Sequence, residues 1–446
     1  MVRPGAATTR QRWYLLAVLT LANLVNFYDR TIPAVIVEPL SAEFGLSDTA
    51  IGFLGGSFTV VYAIAGVIIG RLADRHPRTV IMAVGLLVWS LFTAGSGLAG
   101  GFLLLFLCRL GVGIGEASYG PAANSVIFDA YEPKRRGRAI SIFSLGIPLG
   151  LLSAFLTVGP IVEATGSWRA PFLIATVPGL LLAGAMLLVR EPRRGAADDE
   201  AARTDLSALA ADQPFRQVLA VPTVRWLMLT GIGLQIPTYA VATFVVPLLQ
   251  RYHGLGIAPA SIGAGAVLGL AGVIGLLLGG ALSDRAAAED VGGRLRVGAV
   301  GFTLAAPVTL AALVLDAGAA LPFVLVLTLG WIGTQLFAAA ASPAIADVVP
   351  PGIRATALGV YFASFNIIGA TLGPIITGVL SDLLARPADG LTADAVGLHD
   401  ALLVVIPLGL ALAAVAAWRA SATLGPDHAA MVASAPPDEG EVTAGR

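Results

Sequence analysis

The sequence predicts an all-α membrane protein with twelve transmembrane helices in two pseudo-symmetric six-helix bundles. Three observations support this prediction. The chain is 57% hydrophobic and 12% charged, whereas an ordinary soluble domain carries roughly 25% charged residues. It contains apolar runs long enough to cross a bilayer, and its two halves repeat one pattern of charged residues. Duplication of this kind inside an apolar chain is typical of secondary transporters.

The internal repeat consists of two short motifs, each recurring at almost the same offset. The first, Gly-x-Leu-x-Asp-Arg, occupies 70–75 and recurs at 280–285. The second contains an acid, a proline, an arginine and an alanine, which are Asp129, Pro133, Arg136 and Ala139 in one copy and Asp347, Pro351, Arg354 and Ala357 in the other. The conserved order indicates a duplicated six-helix unit, and charged motifs at both sets of helix ends favour a two-state gate over a passive channel.

Twelve segments are long and apolar enough to cross a membrane as helices. They lie near 13–37, 48–70, 79–98, 102–128, 138–162, 170–189, 224–250, 259–283, 295–316, 320–346, 355–383 and 398–418. We assign 1–190 to an N-terminal bundle, 191–222 to a polar cytoplasmic linker and 223–420 to a C-terminal bundle. Residues 421–446 are rich in alanine, proline and acidic residues, so we expect a disordered tail.

The basic residues predict which side of the membrane each connection faces. Most of the 27 Arg and Lys residues fall in the N-terminal arm, in alternate connections and at the C-terminal end. The remaining connections contain only Arg169, Arg251 and Arg386. Because positively charged connections stay in the cytoplasm, we expect a multi-pass protein of the inner (plasma) membrane with both termini cytoplasmic.

Several classes of protein are excluded by what the sequence lacks. Cys108 is the only cysteine and the 4 histidines are scattered, so we expect neither a disulfide nor a metal site. The only lysine, Lys134, is not part of a phosphate-binding loop, which excludes ATP hydrolysis of that kind. No membrane segment places a histidine beside a serine or cysteine nucleophile, so we expect no enzyme. The net charge of −1 suggests no nucleic-acid partner, and we expect a monomer without cofactors.

Four charged residues lie inside predicted membrane helices, where charge is costly and usually functional. The first segment contains Asp29 and Arg30, and the fourth contains Arg109 and Glu116. We expect Glu116 and Asp29 to couple transport to protons, because a buried carboxyl group beside an arginine can be tuned to exchange a proton. The arginines would then compete between these carboxylates and an anionic substrate. The alternative is a buried charge network that only joins two helices.

The C-terminal half lacks comparable charges and offers polar and aromatic residues instead. This difference suggests a cavity with one charged wall and one apolar wall, which suits an amphipathic substrate with an anionic head group. Aromatic residues in membrane helices also serve ordinary packing. The candidate substrate-binding residues are Arg30, Arg109, Asn26, Tyr119, Gln235, Tyr239, Gln335, Tyr361 and Asn366.

Pairs of glycines four residues apart recur within the predicted helices. Small residues at this spacing let helix backbones approach closely in lipid. The pairs are Gly52/Gly56, Gly66/Gly70, Gly111/Gly115, Gly146/Gly150 and Gly369/Gly373. We therefore expect them at helix–helix contacts and not in nucleotide-binding loops.

The first motif, extended to Gly70-x-x-x-Asp74-Arg75-x-x-Arg78, resembles the signature of the major facilitator superfamily. Pro77 stands where that signature usually has glycine, which leaves the charged positions intact. The twelve-segment layout, the central linker and the predicted orientation agree with this superfamily over essentially the whole chain. The resemblance implies the major facilitator fold and a secondary transporter that works by alternating access.

Within the superfamily, the runs Asn26–Arg30 and Arg109–Tyr119 resemble motifs of the spinster-like lipid transporters. This resemblance implies an amphipathic anionic lipid as substrate, such as a lysophospholipid or a sphingoid phosphate. Proton-coupled organic-anion symporters share N-x-x-D-R and G-x-G-E-A, so a sugar acid or carboxylate is the alternative substrate. Their motif differs after the Glu-Ala pair, where this chain continues with Ser118-Tyr119-Gly120-Pro121.

The superfamily resemblance also implies a gate at the cytoplasmic helix ends. Arg78 is expected to pair with Asp129, and Asp74 to cap the eleventh segment near 354–356, where the helix dipole favours a carboxylate. We expect these contacts only when the cytoplasmic ends of the bundles meet, so they would stabilise the outward-open state. A solvated loop that only enforces topology is the alternative. The candidate gate residues are Asp74, Arg75, Arg78, Asp129, Arg136, Asp284, Asp347 and Arg354.

Overall fold

The computed structural model describes residues 8–73, 75–194, 214–290, 292–388 and 390–433. In these residues the chain is helical apart from turns and one isolated β-bridge, Ala388 to Leu391. The N-terminal half contains α1 (Thr9–Val35), α2 (Val37–Phe44), α3 (Asp48–Ala73), α4 (Arg78–Gly97), α5 (Phe102–Ala117), α6 (Gly120–Ala130), α7 (Pro133–Ser144), α8 (Gly146–Thr165) and α9 (Ala170–Leu187). The C-terminal half contains α10 (Pro214–Ala220), α11 (Pro222–Arg251), α12 (Ile257–Ala264), α13 (Ala271–Glu289), α14 (Gly293–Leu313), α15 (Ala320–Gln335), α16 (Ala341–Val348), α17 (Arg354–Ser364), α18 (Thr371–Leu384) and α19 (Ala393–Ala433).

Some predicted membrane segments are built from two consecutive helices. These are α5–α6, α7–α8, α12–α13, α15–α16 and α17–α18. The breaks after Ala117 and after Gln335 stand at equivalent positions of the internal repeat. Two π-helical turns, Gly265–Leu270 and Phe365–Ala370, connect α12 to α13 and α17 to α18. Such turns are rare and frequently occur at functional sites.

Every one of the twelve predicted segments is helical, which confirms the predicted all-α fold. Within the described residues, 10 helical spans are long and apolar enough to cross a membrane, and α15 is a shorter apolar helix. The remaining segment, α1, contains the buried charged residue Asp29 and its neighbour Arg30.

The C-terminal region departs from the expected disordered tail, because α19 continues to Ala433. The expectation of disorder from residue 421 is therefore wrong for 421–433. Contacts with other helices hold this part: the Asp427 carboxylate accepts a hydrogen bond from the Thr223 amide at 2.8 Å, and His428 Nδ1 donates to the Asp347 carbonyl at 2.6 Å. The rest of the tail, 434–446, and most of the expected linker lie outside the described residues.

The helix ends form two faces, which we name by their connections. The linker face carries the turn between α3 and α4 and the end of α9, from which the linker departs. The distal face carries α2 and the turn between α8 and α9. Gly45 caps the C-terminal end of α2, and its φ of 63° is a left-handed conformation that glycine adopts without strain.

The buried apolar side chains form two clusters that divide the N-terminal bundle by depth. One cluster lies in its linker-face half and includes Leu19, Trp89 and Met186. The other joins the distal-face half, including Ile36 and Phe155, to side chains throughout the C-terminal bundle. The two bundles therefore share one apolar core at the distal face.

Glycine contacts show where the helices approach closely. An added Cβ at Gly56 of α3 would lie 2.8 Å from the Thr371 carbonyl oxygen of α18, so these two bundles touch backbone to backbone. The prediction of close contact is confirmed for the pairs Gly52/Gly56, Gly111/Gly115, Gly146/Gly150 and Gly369/Gly373. Added Cβ atoms at Gly66 and Gly70, in the linker-face half of α3, would meet no described atom within 4 Å. Helix α3 is thus packed against the other bundle at the distal face and faces open space towards the linker face.

Candidate functional site

The charged residues of the first and fourth membrane segments meet inside the N-terminal bundle as two ion pairs. Arg30 Nε donates to Glu116 Oε2 at 2.6 Å, and Arg109 Nη1 lies 3.7 Å from Asp29 Oδ1. Each pair joins α1 to α5. Opposite charges at these distances offset part of the cost of burying each charge.

The Arg30–Glu116 pair lies at the edge of the bundle. The Arg30 side chain is 21% exposed, whereas that of Glu116 is 0% exposed. The rings of Phe27, Phe58 and Tyr62 surround the guanidinium, with their centroids 5.1, 5.3 and 4.3 Å from its central carbon. Cation–π contacts of this kind hold a guanidinium in place while leaving its donors free. Arg30 is therefore the charge in this network that a ligand can reach.

Tyr239 of α11 brings the C-terminal bundle to this pair. Its side chain is partly buried and lies close enough to interact electrostatically with Arg30 and Tyr62. Because α11 belongs to the C-terminal bundle, the surroundings of Arg30 span both bundles.

Asp29 and Arg109 are sealed inside the N-terminal bundle. Their side chains are only 2% and 4% exposed. Thr93 of α4 donates its hydroxyl to Asp29 Oδ2, and the Arg109 guanidinium lies 5.9 Å from the ring centroid of Phe172. This pair joins α1, α4 and α5, as a network that only connects helices would.

Two further candidates from the N-terminal half lie in the bundle interior. Asn26 is buried one helical turn from Arg30, and its Nδ2 atom has no hydrogen-bond partner among the described residues. Tyr119 is buried, donates its hydroxyl to the Leu19 carbonyl and packs against the ring of Trp89 at 5.9 Å between centroids. Tyr119 thus belongs to the core of the linker-face half.

The glutamine candidates of the C-terminal half pack against neighbouring helices. Gln235 and Gln335 are partly buried. The Cβ of Gln235 lies over Gly369, and the Cβ of Gln335 lies over Gly275. Both therefore line close helix contacts within the C-terminal bundle.

Of the last two candidates, Tyr361 lies in α17 and Asn366 in the π-helical turn that follows it. Asn366 donates to the Phe362 carbonyl at 2.9 Å. Tyr361 is buried and packs on the ring of Phe365 at 4.9 Å between centroids. Tyr361 and Asn366 are therefore close together between the start of α17 and the start of α18. Of the candidates in the C-terminal half, Tyr239 is the one that lies near Arg30.

At the linker face, Arg78 connects the end of α6 to the start of the linker. Its guanidinium donates to Asp129 at 2.5 Å and to Glu191 at 2.9 Å, and Glu191 also accepts from the Thr79 hydroxyl at 3.1 Å. Burial alone would raise the pKa of Glu191, but the hydrogen bonds from Arg78 and Thr79 hold it below its ordinary value. Glu191 was not predicted from the sequence, where it is marked only as the first acid after the last N-terminal membrane segment.

The Arg78–Asp129 pair corrects one expectation about the gate. We expected it only when the linker-face ends of the bundles meet, yet it is formed in a structure whose bundles share a core at the distal face. Both residues belong to the N-terminal bundle, so their distance does not depend on the separation of the bundles. Asp74, the expected cap of the eleventh segment, lies outside the described residues.

The C-terminal bundle repeats this ion pair. Asp347, which corresponds to Asp129 in the first copy, lies 3.3 Å from Arg294. Arg294 was not predicted from the sequence, because it stands nine positions after Arg285, whereas Arg78 stands three positions after Arg75. The other two candidates of this region, Arg75 and Asp284, are exposed.

The arginines of the second motif close equivalent helix ends in the two bundles. Arg136 Nε donates to the Tyr131 carbonyl at 3.0 Å, and Arg354 Nε donates to the Val349 carbonyl at 3.2 Å. Each carbonyl lies just after a helix, where backbone acceptors lack intrahelical partners. These two arginines therefore fix the turns after α6 and α16.

A group of polar residues that was not predicted from the sequence joins the bundles at the distal face. Arg251 at the end of α11 donates to Asp48 at 2.8 Å and to Glu38 at 2.6 Å. Asp48 also accepts from the Ser381 hydroxyl at 2.6 Å, and its amide donates to the Asp382 carboxylate at 3.1 Å. Glu38 and Asp48 belong to the N-terminal half and the other three to the C-terminal half. We call these five residues the distal latch.

Helix α2 contacts both bundles through its two glutamates. Glu38 joins the distal latch; its burial raises its pKa, and Arg251 opposes that shift. Glu43 pairs instead with Arg169 of the N-terminal bundle at 2.6 Å. Hydrogen bonds from Arg169 and Trp168 lower the pKa of Glu43 to about 2. The sequence feature that could have indicated the distal latch is Arg251, one of the few basic residues outside the predicted cytoplasmic connections.

The chain resembles known transporters over almost its whole length. The Major Facilitator Superfamily matches residues 19–327. An MFS-type efflux pump of Mycolicibacterium smegmatis is 32% identical over 415 residues, which cover 93% of each chain. Human protein spinster homolog 1 is 28% identical over 392 residues, which cover 83% of this chain and 73% of that protein. A crystal structure of a bacterial homolog to the human lysosomal transporter spinster, in an inward-facing and unoccupied conformation, matches with a TM-score of 0.85 at 29% identity over 94% of this chain and 99% of that chain.

Proposed function

Because this chain belongs to the major facilitator superfamily of transporters, we propose that it moves an amphipathic, anionic substrate across the plasma membrane together with protons. One observation carries this proposal. Arg30, partly exposed and close to Tyr239 of the other bundle, is held by the fully buried carboxylate of Glu116. The sealed Asp29–Arg109 pair has a structural role in this proposal.

Coupling follows from the competition for the Arg30 guanidinium. When Glu116 takes up a proton, it loses the charge that holds Arg30 at 2.6 Å, and the guanidinium can bind an anionic head group. An anion on Arg30 in turn removes the partner of the Glu116 carboxylate and so favours its protonation. Because binding linkage is reciprocal, the proton and the anion stabilise each other and move in the same direction.

The two sides of the transport cycle are assigned to the two faces of the molecule. The distal latch and the shared core close the distal face, whereas α3 faces open space around Gly66. The excess of basic residues at the linker face supports a cytoplasmic position for it and for both termini. Similarity to an inward-facing spinster homolog supports the same assignment. In this proposal the structure is the inward-open state, and Asp74 acts only in the opposite state.

The substrate class rests on the chemistry around Arg30 and on the spinster-like relatives. A guanidinium presents a fork of donors that fits phosphate and carboxylate groups. The surrounding rings of Phe27, Phe58 and Tyr62 offer an apolar wall for the first carbons of a tail. A lysophospholipid or a sphingoid phosphate satisfies both requirements, whereas a sugar acid satisfies only the first.

Transport by the purified protein in liposomes tests this proposal. The vesicles contain a pH-sensitive dye, and the substrates are a lysophospholipid with a phosphate head group, its neutral analogue of equal chain length and a sugar acid. We expect the anionic lysolipid, and neither of the other compounds, to drive proton movement. Proton movement with the sugar acid alone would replace the lipid substrate by an organic anion. Lysolipid transport without proton movement would overturn the coupling.

A further inference from the structure

A groove at the linker face of the C-terminal bundle lies apart from the Arg30 site. It is a cavity of about 480 Å³ between the end of α13 and the start of α14. Two arginines, one aspartate and apolar side chains line it: Arg285, Arg296, Asp290, Leu282, Val300 and Leu336. The groove thus has a charged end and an apolar end.

Within the described residues, neither arginine at the charged end takes part in a buried ion pair. Arg285 is exposed and has no ion-pair partner in the described part of the chain. Arg296 pairs with Asp290, and the two side chains are 55% and 45% exposed. Because an exposed ion pair is worth little, Arg296 can share its donors with an incoming anion. Among the described side chains that line the groove, two arginines stand against one aspartate.

The apolar end continues from each arginine along its helix. On α13, Leu282 precedes Arg285 by three residues and Leu278 precedes Leu282 by four. These two leucines are 40% and 48% exposed. On α14, Val300 and Leu304 follow Arg296 at spacings of four, and they are 43% and 61% exposed. Residues at these spacings share one helix face. Each helix therefore carries a stripe that begins with an arginine and continues with exposed apolar side chains.

The depth of the groove matches the surface of a membrane. Arg285 lies near the end of the membrane-crossing span Ile257–Ala288, and Arg296 near the start of Gly293–Leu313. Basic groups at such positions lie at the level of lipid head groups, and basic pockets between membrane helices bind anionic head groups. The apolar stripes run from there towards the middle of the bilayer.

We propose that this groove binds one anionic phospholipid of the surrounding membrane. The lipid phosphate lies between Arg285 and Arg296, and an acyl chain covers the two apolar stripes. A glycerol head group can also donate a hydroxyl hydrogen bond to Asp290. A free phosphate ion would satisfy the arginines and leave the stripes uncovered. The site shares no residue with the Arg30 site, so it does not depend on the proposed function.

Native mass spectrometry and thermal unfolding of the purified full chain test this inference. Detergent-solubilised protein is titrated with phosphatidylglycerol, phosphatidylethanolamine, phosphatidylcholine or inorganic phosphate. We expect one tightly bound phosphatidylglycerol, a higher melting temperature with this lipid, and no comparable effect of the other three. The double variant Arg285→Gln/Arg296→Gln should lose at least tenfold in affinity for phosphatidylglycerol. The control Arg386→Gln/Arg193→Gln removes the same charge elsewhere and should bind as the wild type does.

Three outcomes would overturn the inference. The first is wild-type affinity for phosphatidylglycerol in the Arg285→Gln/Arg296→Gln variant. The second is equal binding of phosphatidylethanolamine, which would remove net charge as the criterion. The third is stabilisation by inorganic phosphate to the extent seen with phosphatidylglycerol, which would make the groove a site for soluble anions.

Discussion

Arg30 of α1 donates a 2.6 Å hydrogen bond to Glu116 of α5, and the two side chains are 21% and 0% exposed. An arginine that faces the space between the bundles is thus held by a carboxylate buried behind it. Because the two groups are in contact, a change in the charge of Glu116 alters the electrostatic interaction with Arg30 without any movement of the helices. This relationship makes separate predictions for the two residues.

Replacement of Glu116 by glutamine should uncouple transport from protons. Glu116→Gln preserves a hydrogen-bond acceptor for Arg30 and removes the group that is protonated in the proposed cycle. We expect lysolipid binding and exchange to persist, and the dependence of net transport on the pH gradient to disappear in liposomes. Glu43→Gln, which removes an exposed carboxylate of the distal face, is the control. Full pH-dependent transport by Glu116→Gln would transfer the coupling role to Asp29.

Replacement of Arg30 should weaken substrate binding. Arg30→Ala removes the reachable cation, and we expect at least a tenfold loss of affinity for an anionic lysolipid in thermal-shift titrations. Arg30→Lys should recover only part of it, because an ammonium cannot reproduce bidentate recognition of phosphate. Arg386→Ala, an exposed arginine of the distal face, should bind normally. Wild-type affinity in Arg30→Ala would exclude this residue from the site.

Replacement of Arg109 should destabilise the fold. Arg109→Gln leaves the Asp29 carboxylate buried without its cation, and loss of one partner of a buried pair costs about 3–5 kcal/mol. We expect a clearly lower melting temperature in detergent, with substrate affinity preserved in the folded fraction. The double variant Arg109→Leu/Asp29→Leu should recover much of the stability, since it leaves no unpaired charge. Lost affinity at an unchanged melting temperature would place Arg109 in the substrate site instead.

The sequence predicted the helical segments and the intramembrane charges because both depend on local composition. Apolar length marks a membrane helix wherever it lies, and Asp29 or Glu116 stands out against an apolar run. The internal repeat also placed Asp129 and Asp347 at equivalent helix ends. These features need no knowledge of how the helices are arranged.

The partners of the charges could not be predicted, because they depend on helix rotation and on the state of the bundles. Arg109 and Glu116 share a helix face by spacing, yet each pairs with a residue of α1. In the distal latch, Arg251 and Asp48 are in contact although they lie 203 positions apart in the sequence. Tyr119 resembled a site residue, but its hydroxyl is used within the core by the Leu19 carbonyl.

His253 should make the stability of the distal face depend on pH. The residue lies between α11 and α12, and its ring packs 4.5 Å from that of Phe323. Burial, assisted by nearby His399, lowers the pKa of His253 to about 4, below the ordinary value of about 6.5 for histidine. Between these values the unfolded chain binds the proton more readily, so stability is complete above about pH 6.5 and falls as the pH is lowered towards 4.

Melting temperatures at pH 7.5 and pH 5 measure this effect. The wild type should melt at a lower temperature at pH 5, and His253→Phe should reduce the difference because the aromatic ring remains without a titrating group. His76→Gln, at the linker face, should keep the wild-type difference. An undiminished pH dependence in His253→Phe would assign it to other groups.

The distal latch should hold the bundles closed at the distal face, and the two glutamates of α2 allow a matched test. Glu38 contacts Arg251 of the other bundle at 2.6 Å, whereas Glu43 contacts Arg169 of its own bundle at 2.6 Å. Glu38→Gln should therefore shift the population towards closure at the linker face, and Glu43→Gln should not. The readout is thiol labelling of Gly66→Cys, which lies beside open space in this state, and we expect labelling at least twofold slower in the Glu38→Gln background. Equal labelling rates in both backgrounds would limit the latch to a contact that does not bias the transport cycle.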